Sequence, residues 1–280
     1  MPERPGRDAS ASASPAPVLG LVRACHPGPT LAVTVLTALL AVALGTPRPA
    51  LLLVTGAVLA GQLTIGWSND VIDVARDRTV GRPDKPVASG EVAESVVRSA
   101  IGVAGVACVV LSLACGWRSA LVHLGLGVAS GWAYNLGLKR TAWSAVPYAV
   151  AFGALPAVVS LAGPGREWPP PWMVLTGALL GVGAHLLNAL PDLDDDAATG
   201  VHGLPQRLGA RRVRVVAAVV LLAGSVVATF GPAGVAPAWA LLGLGLCVVL
   251  AVATVALRGR LPFVAAVGIA LVDVVALVLR

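Results

Sequence analysis

Charge is what this sequence has least of. Only 12% of its 280 residues are Asp, Glu, Lys or Arg, and mean hydropathy is +0.84. A water-soluble surface cannot be built from so few charged groups, so ordinary soluble fold classes are excluded. Aromatics are also scarce, at 4%, with two Tyr and three Phe. Cys25, Cys108, Cys115 and Cys247 each stand alone in apolar runs, with no CxxC and no adjoining His. That spacing excludes a disulfide framework and a zinc ribbon, and leaves small buried hydrophobes. The net charge of +6 is dispersed at the ends of apolar runs, so no nucleic-acid partner is expected.

What is present is apolar length. Hydrophobic segments recur at about 28–46, 50–68, 93–115, 119–137, 143–163, 172–190, 213–230, 236–257 and 262–279. Each approximates the ~20 residues that cross a ~30 Å hydrocarbon layer. The expected fold is therefore all-α: a polytopic membrane protein of nine transmembrane helices around a central cavity. Residues 1–22, rich in Ala, Ser, Pro and Arg, are expected to form a disordered cytoplasmic tail. No apolar stretch follows Arg4 and Arg7 closely enough to form a signal peptide. With the N-terminus inside, all of the 20 bases except Arg48, Arg118, Arg166 and Arg280 fall on the cytoplasmic side. That bias predicts an integral cytoplasmic-membrane protein, N-terminus in and C-terminus out.

The polar residues that remain are concentrated. Over 69–91 an apolar run gives way to carboxylates and bases, with Asn69, Asp73 and Asp77 spaced four apart. On a helix each step of four turns by ~40°, so the three share a face. Oxygen-bearing side chains at a membrane helix end are costly unless a cation binds them; magnesium takes such ligands and shares them with phosphate. Asn188, Asp192 and Asp196 repeat the pattern at a constant offset of 119. The offset continues: Gly81 meets Gly200, Pro86 meets Pro205, Gly90 meets Gly209, and Lys139 meets Arg258. A parallel internal repeat of four helices follows, with halves of about 23–141 and 142–260 and an added ninth helix at 262–279. Both acidic motifs then end on the cytoplasmic face. Face to face they would repel unless cations lay between them. Bridged by Mg2+, they make a clamp for a diphosphate, within reach of Arg82, Lys85, Lys139 and Arg207. The alternative for either cluster alone is a set of solvated loop acids.

Other polar or aromatic residues lie near these motifs. Gln62 and His185 precede Asn69 and Asn188 on similar faces and are candidates for the substrate pocket, as are Trp67, Trp132 and Tyr134. His123, near an outer span end, is expected to meet water. Asp273 stands alone in the ninth span, where bonding to a neighbouring helix is favoured over contact with an acceptor. Trp117, Trp168 and Trp172 read as interface anchors.

These motifs resemble those of UbiA-type intramembrane prenyltransferases. NxxxDxxxD at 69–77 with Arg82, Pro83, Lys85, Pro86, Ser89 and Gly90 is similar to their first signature. The 188–196 motif with its Leu204-to-Gly209 loop is similar to their second, and Tyr134 with Lys139 to their Tyr–Lys element, one residue longer here. The resemblance covers residues 25–280. It implies that Mg2+ held by Asn69, Asp73, Asp77, Asn188, Asp192 and Asp196 binds a prenyl diphosphate. Ionisation would give an allylic cation that a small aromatic or lipid acceptor captures. Catalysis would rest on Asp73, Asp77, Asp192 and Asp196. A membrane terpene cyclase using the same site without an acceptor is the alternative, and a non-enzymatic transporter or lipid-binding protein with repeated cation sites is a third reading. Chain length, acceptor and oligomeric state are not readable from the sequence.

Overall fold

A computed structural model describes residues 15–82, 84–163 and 165–279 of the chain. Residues 1–14 of the expected tail, Pro83 of the first loop and the outer base Arg280 lie outside the described residues. The tail's expected boundary at residue 22 shifts, because Pro15–Ala24 is helical (α1).

The described residues form helices and no strands. In order they are α2 (Pro27–Ala43), α3 (Arg48–Ile72), α4 (Val74–Thr79), α5 (Pro86–Ser89) and α6 (Glu94–Ala114). Then come α7 (Trp117–Val122), a π-helical turn (His123–Val128), α8 (Ala129–Leu136) and α9 (Val146–Ala162). The chain continues through α10 (Pro171–Asn188), α11 (Leu193–Ala198), α12 (Leu204–Phe230), α13 (Ala238–Ala256) and α14 (Leu261–Val278). Proline occupies the first turn of α2, α3, α9, α10, α12 and α14, where its missing N–H has no helical partner to lose.

By length and hydropathy, six helices can cross a membrane: α3, α6, α10, α12, α13 and α14. The pair α1 and α2, bent by 67°, makes a seventh if it is one span. The expected spans at 119–137 and 143–163 do not reach that criterion. The first is interrupted by the π-helical turn, and α9 is apolar but has 17 residues. The chain is thus an all-helical integral membrane protein.

Small residues set the packing around the cavity. On α10, Gly177 and Gly181 lie one turn apart and admit the backbone of α9. A Cβ at Gly177 would stand 2.3 Å from the Phe152 carbonyl, and one at Gly181 would stand 2.7 Å from that of Tyr148. The Phe152 carbonyl is the one whose helical partner Pro156 removes. His185, the next position on that face of α10, therefore meets the rings of α9. Similarly, a Cβ at Gly66 would stand 2.2 Å from the Cys25 carbonyl, which seats the α1–α2 bend on α3. All four cysteines are free and buried, as their isolation in apolar runs led us to expect.

The backbone echoes itself at the 119-residue offset. Helices α4 and α11 correspond residue for residue. Gly81 and Gly200 are left-handed at φ 66° and 75°, and Gly90 and Gly209 at 80° and 75°. The Arg82 N–H donates to the Asp77 carbonyl (3.0 Å), and the Val201 N–H donates likewise to Asp196 (2.9 Å). Gly209 bends α12 after its first turn, so 204–208 corresponds to α5 and the long remainder to α6.

Candidate active site

A cavity of about 820 Å³ runs through the centre of the bundle. At one end stand Asn69, Asp73, Arg76, Arg82, Lys85, Lys139, Asn188, Asp192 and Asp196; the walls beyond are mainly apolar. Both acidic motifs therefore meet at one mouth, as the sequence implied. They reach it by different local routes. Helical hydrogen bonding continues through the first motif: the Asp73 N–H donates to the Asn69 carbonyl, and the Asp77 N–H to that of Asp73. In the second, Pro191 ends the α-helix. Asn188 closes α10, Asp192 lies in a 3-10 turn (Leu190–Asp192), and Asp196 lies on α11. The single continuous face expected for Asn188, Asp192 and Asp196 is thus broken.

The first motif is the more enclosed. Asp73 and Asp77 are 2% and 1% exposed. Lys139 Nζ donates to Asp73 Oδ2, which also accepts from Asn69 Nδ2 (3.2 Å) and Arg76 Nη2 (3.3 Å). Arg76 also contacts Asp77 Oδ1 (3.3 Å) and reaches across to Asp196 Oδ1 (3.8 Å). Arg82 makes a second bridge. It pairs with Asp84, then spans the mouth to Asp192 (2.9 Å) and Asp195 (3.3 Å). Lys85 donates to Asn69 Oδ1 (3.2 Å) and Asp70 Oδ1 (3.0 Å), with His26 Nε2 at 3.2 Å. Gln206 donates to Asp196 Oδ2 (2.8 Å).

Burial and charge act in opposition here. Desolvation raises the carboxyls of Asp77 and Asp196, against the pull of nearby bases. Desolvation lowers Lys139, opposed by Asp73. The Arg82 guanidinium beside Asp84 pulls that carboxyl down to about 2. Among the described residues, no three His, Cys, Asp or Glu side chains converge on one point. The carboxylates are held apart by the guanidiniums of Arg76 and Arg82. Yet Asp73 Oδ1 and Asp77 Oδ2 are sealed from solvent with no hydrogen-bond partner, an expensive state for anionic oxygen.

Several expected pocket residues do line the cavity: Gln62, Tyr134 and His185. Trp67 does not. It lies two residues, about 200°, from Asn69, and its indole donates to the Leu21 carbonyl (2.9 Å) within the core of α1 and α3. Trp132 is likewise outside the lining, donating to Thr64 Oγ1 (3.3 Å). Asp77 stands behind Arg76 rather than at the wall. Arg207 turns outward, where its Nε donates to the His202 carbonyl (2.9 Å), and Gln206 takes the inward position. His123, expected to meet water, is 5% exposed and lines the cavity. Trp117 and Trp168 are exposed, whereas Trp172 lines the cavity. Asp273 is buried and takes up Ser225 Oγ (2.9 Å) on α12, the helix-to-helix bonding favoured from sequence.

The sequence reading missed Arg76, Tyr148, Phe152, Asn135 and Gln206. Tyr148 stacks on His185 at 4.5 Å, Tyr134 meets Tyr148 edge-on at 5.2 Å, and Phe152 stacks on Tyr148 at 6.3 Å. Both tyrosines of the chain are in this cluster, so the rarity of Tyr was an available signal.

Residues 31–269 match the profile of the UbiA prenyltransferase family. The chain belongs to that family. A curated relative, digeranylgeranylglyceryl phosphate synthase of Methanoculleus marisnigri, is 32% identical over 211 residues, 71% of this chain and 72% of the relative. The same fold occurs in a UbiA homologue from Aeropyrum pernix K1 (TM-score 0.71, 16% identity, covering 89% of this chain and 97% of that one). It occurs also in a UbiA homologue from Archaeoglobus fulgidus bound to GPP and Mg2+ (TM-score 0.70, 13% identity, 92% and 98%). This UbiA-family chain is accordingly a membrane-embedded prenyltransferase.

Proposed function

We propose that the chain transfers the prenyl group of a prenyl diphosphate to a small aromatic or lipid acceptor, in a Mg2+-dependent reaction through an allylic cation. The observation that carries this reading is the pair of sealed, unpartnered oxygens, Asp73 Oδ1 and Asp77 Oδ2, beside a second acidic motif at the same mouth. An all-oxygen donor set suits a hard cation. Asn69, Asp73, Asp77, Asn188, Asp192 and Asp196 would hold it. When bound, Mg2+ would offset the negative charge gathering on the departing diphosphate. The homologue that carries GPP and Mg2+ supports this choice of ligands.

Arg82, Lys85 and Lys139 lie where they can grip the diphosphate once released from their carboxylates. Arg207 belongs to this set only if its outward side chain turns. Breakage of the carbon–oxygen bond leaves positive charge on the prenyl group, and the rings of Tyr134, Tyr148 and His185 line the chamber that receives it. Apolar walls keep water from that charge. Nine crossings, with the broken segment 117–136 and the short α9 each counted as one, fit the parallel repeat and the distribution of bases. That arrangement sets the N-terminus and the mouth on the cytoplasmic side and the C-terminus outside.

Prenyl diphosphates of graded length, given to the protein in nanodiscs with and without a membrane extract, identify donor and acceptor by mass spectrometry. Asp73→Ala and Asp192→Ala are each expected to lower Mg2+-dependent diphosphate release by about 10³-fold. Full release by both variants would sink the assignment. A terpene formed from the diphosphate alone would make the chain a cyclase.

A further inference from the structure

Away from the mouth, few polar groups line the cavity; Asp273 is taken up by Ser225 and Cys247, and His123 stands on the opposite half of the chain. His123 opens the π-helical turn between α7 and α8, at a depth where the rest of the lining is largely apolar. Such π turns are uncommon and gather at functional sites. The hydrogen bonds of Ser112 decide which ring nitrogen of His123 carries the proton. Ser112 Oγ lies 2.6 Å from the Cys108 carbonyl and 2.8 Å from His123 Nδ1. A carbonyl has no proton to give, so the serine hydroxyl donates to it. Ser112 must then accept from His123, and Nδ1 carries the ring proton. In the neutral ring, Nε2 is left as a bare acceptor.

That atom has no partner among the described residues, although the side chain is 95% enclosed. It is not sealed either, because it faces Gly61 of α3. A Cβ at Gly61 would stand 3.2 Å from Nε2, so any side chain there would cover it. The glycine leaves the nitrogen open to the chamber. Gln62, the next residue on α3, also lines the cavity, and its amide makes no hydrogen bond among the described residues. Seven residues of helix separate Gln62 from Asn69, or about 10 Å of depth. Leu36 and Leu40 of α2 and Phe263, Val274 and Leu277 of α14 also line the cavity and offer a mainly apolar path for a prenyl chain. An apolar chain laid along the His123 side would leave two polar groups desolvated and unpaired.

We propose that His123 and Gln62 form a polar subsite for the far end of the acceptor. The acceptor would be an elongated molecule with a hydroxyl about 10 Å from the atom that is prenylated. A hydroxyl suits the pair, since it donates to Nε2 and can accept from the Gln62 amide. This proposal rests on the prenyl-transfer reading given above.

The test is binding, not turnover, by the full chain in nanodiscs with Mg2+ and the inert donor analogue geranyl S-thiolodiphosphate. Two probes are compared by calorimetry: 4-(4-hydroxybutyl)phenol and its alkyl methyl ether, 4-(4-methoxybutyl)phenol. The wild type is expected to bind the free alcohol about tenfold more tightly than the ether. His123→Phe should abolish that preference, Gln62→Leu should reduce it, and His123→Gln should restore part of it. Retained affinity for the thiolodiphosphate certifies that each variant is folded. Equal affinity of the wild type for the two probes, or a preference that survives in His123→Phe, overturns the subsite. Failure of the wild type to bind the thiolodiphosphate with Mg2+ would instead overturn the prenyl-transfer reading.

Discussion

The two acidic segments share a backbone but divide their chemistry. At equivalent positions, Arg76, Arg82 and Lys85 of the first stand where the second has Asp195, Val201 and Leu204. Every base that bridges the mouth therefore comes from the first segment, and the second contributes anions. Exposure follows the same division. Asp73 is buried under Lys139 and Arg76, while the Asp192 side chain is 42% exposed and, among the described residues, is held by Arg82 reaching over. A duplicated loop has become two unlike, complementary parts. The guanidiniums of Arg76 and Arg82 offset the mutual repulsion of carboxylates that share the mouth.

Removing the deeper bridge should break this arrangement most severely. Arg76→Met leaves Asp73, Asp77 and Asp196 facing one another, and should cost about 3 kcal/mol in the metal-free protein. Mg2+ should recover most of that loss, so thermal unfolding of the variant should depend far more steeply on Mg2+ than that of the wild type. Equal Mg2+ responses would show that Arg76 carries no such role. The shared backbone is probed next. Gly90→Ala and Gly209→Ala each force a side chain into a left-handed conformation and should each lower stability by about 1 kcal/mol. Similar losses in chemical unfolding sharpen the equivalence of the two loops; a large disparity would limit it to shape.

Smallest is the exposed end of the second bridge. Asp84 is held down at about 2 by Arg82, below the ordinary 3.8. Its contribution is therefore present above pH 4 and disappears as pH falls through about 2. Because the Asp84 side chain is 42% exposed, Asp84→Asn should cost under about 1 kcal/mol at pH 6. The variant and wild type should become indistinguishable only well below pH 2, and the difference at pH 6 should shrink in high salt.

Much of this was legible because apolar length and the acidic spacing are local signals. The 119-residue offset was readable because the backbone needs glycine at the same four left-handed turns. Trp67 failed because nearness in sequence was taken for nearness in space, although two helical residues point almost oppositely. The second motif's face failed at Pro191, whose effect on α10 follows from its missing N–H. Arg76 was unreadable for another reason. Its role depends on Asp196, 120 residues away, and only the packed bundle brings the two together. Tyr148 and Phe152 owe their place to the close approach of α9 at Gly177 and Gly181, a property of two helices rather than one.

The left-handed residue inside α12 divides what looks like the longest helix into two units of assembly. The turn 204–208 is anchored laterally, through the Leu204 N–H to Ser144 Oγ and from there to His185, and not by the shaft that follows. Each half of the molecule therefore ends its acidic loop with a short, separately tethered turn before a membrane-length rod begins. A left-handed glycine, Gly90 in one half and Gly209 in the other, thus uncouples the direction of that turn from the direction of the rod that follows it.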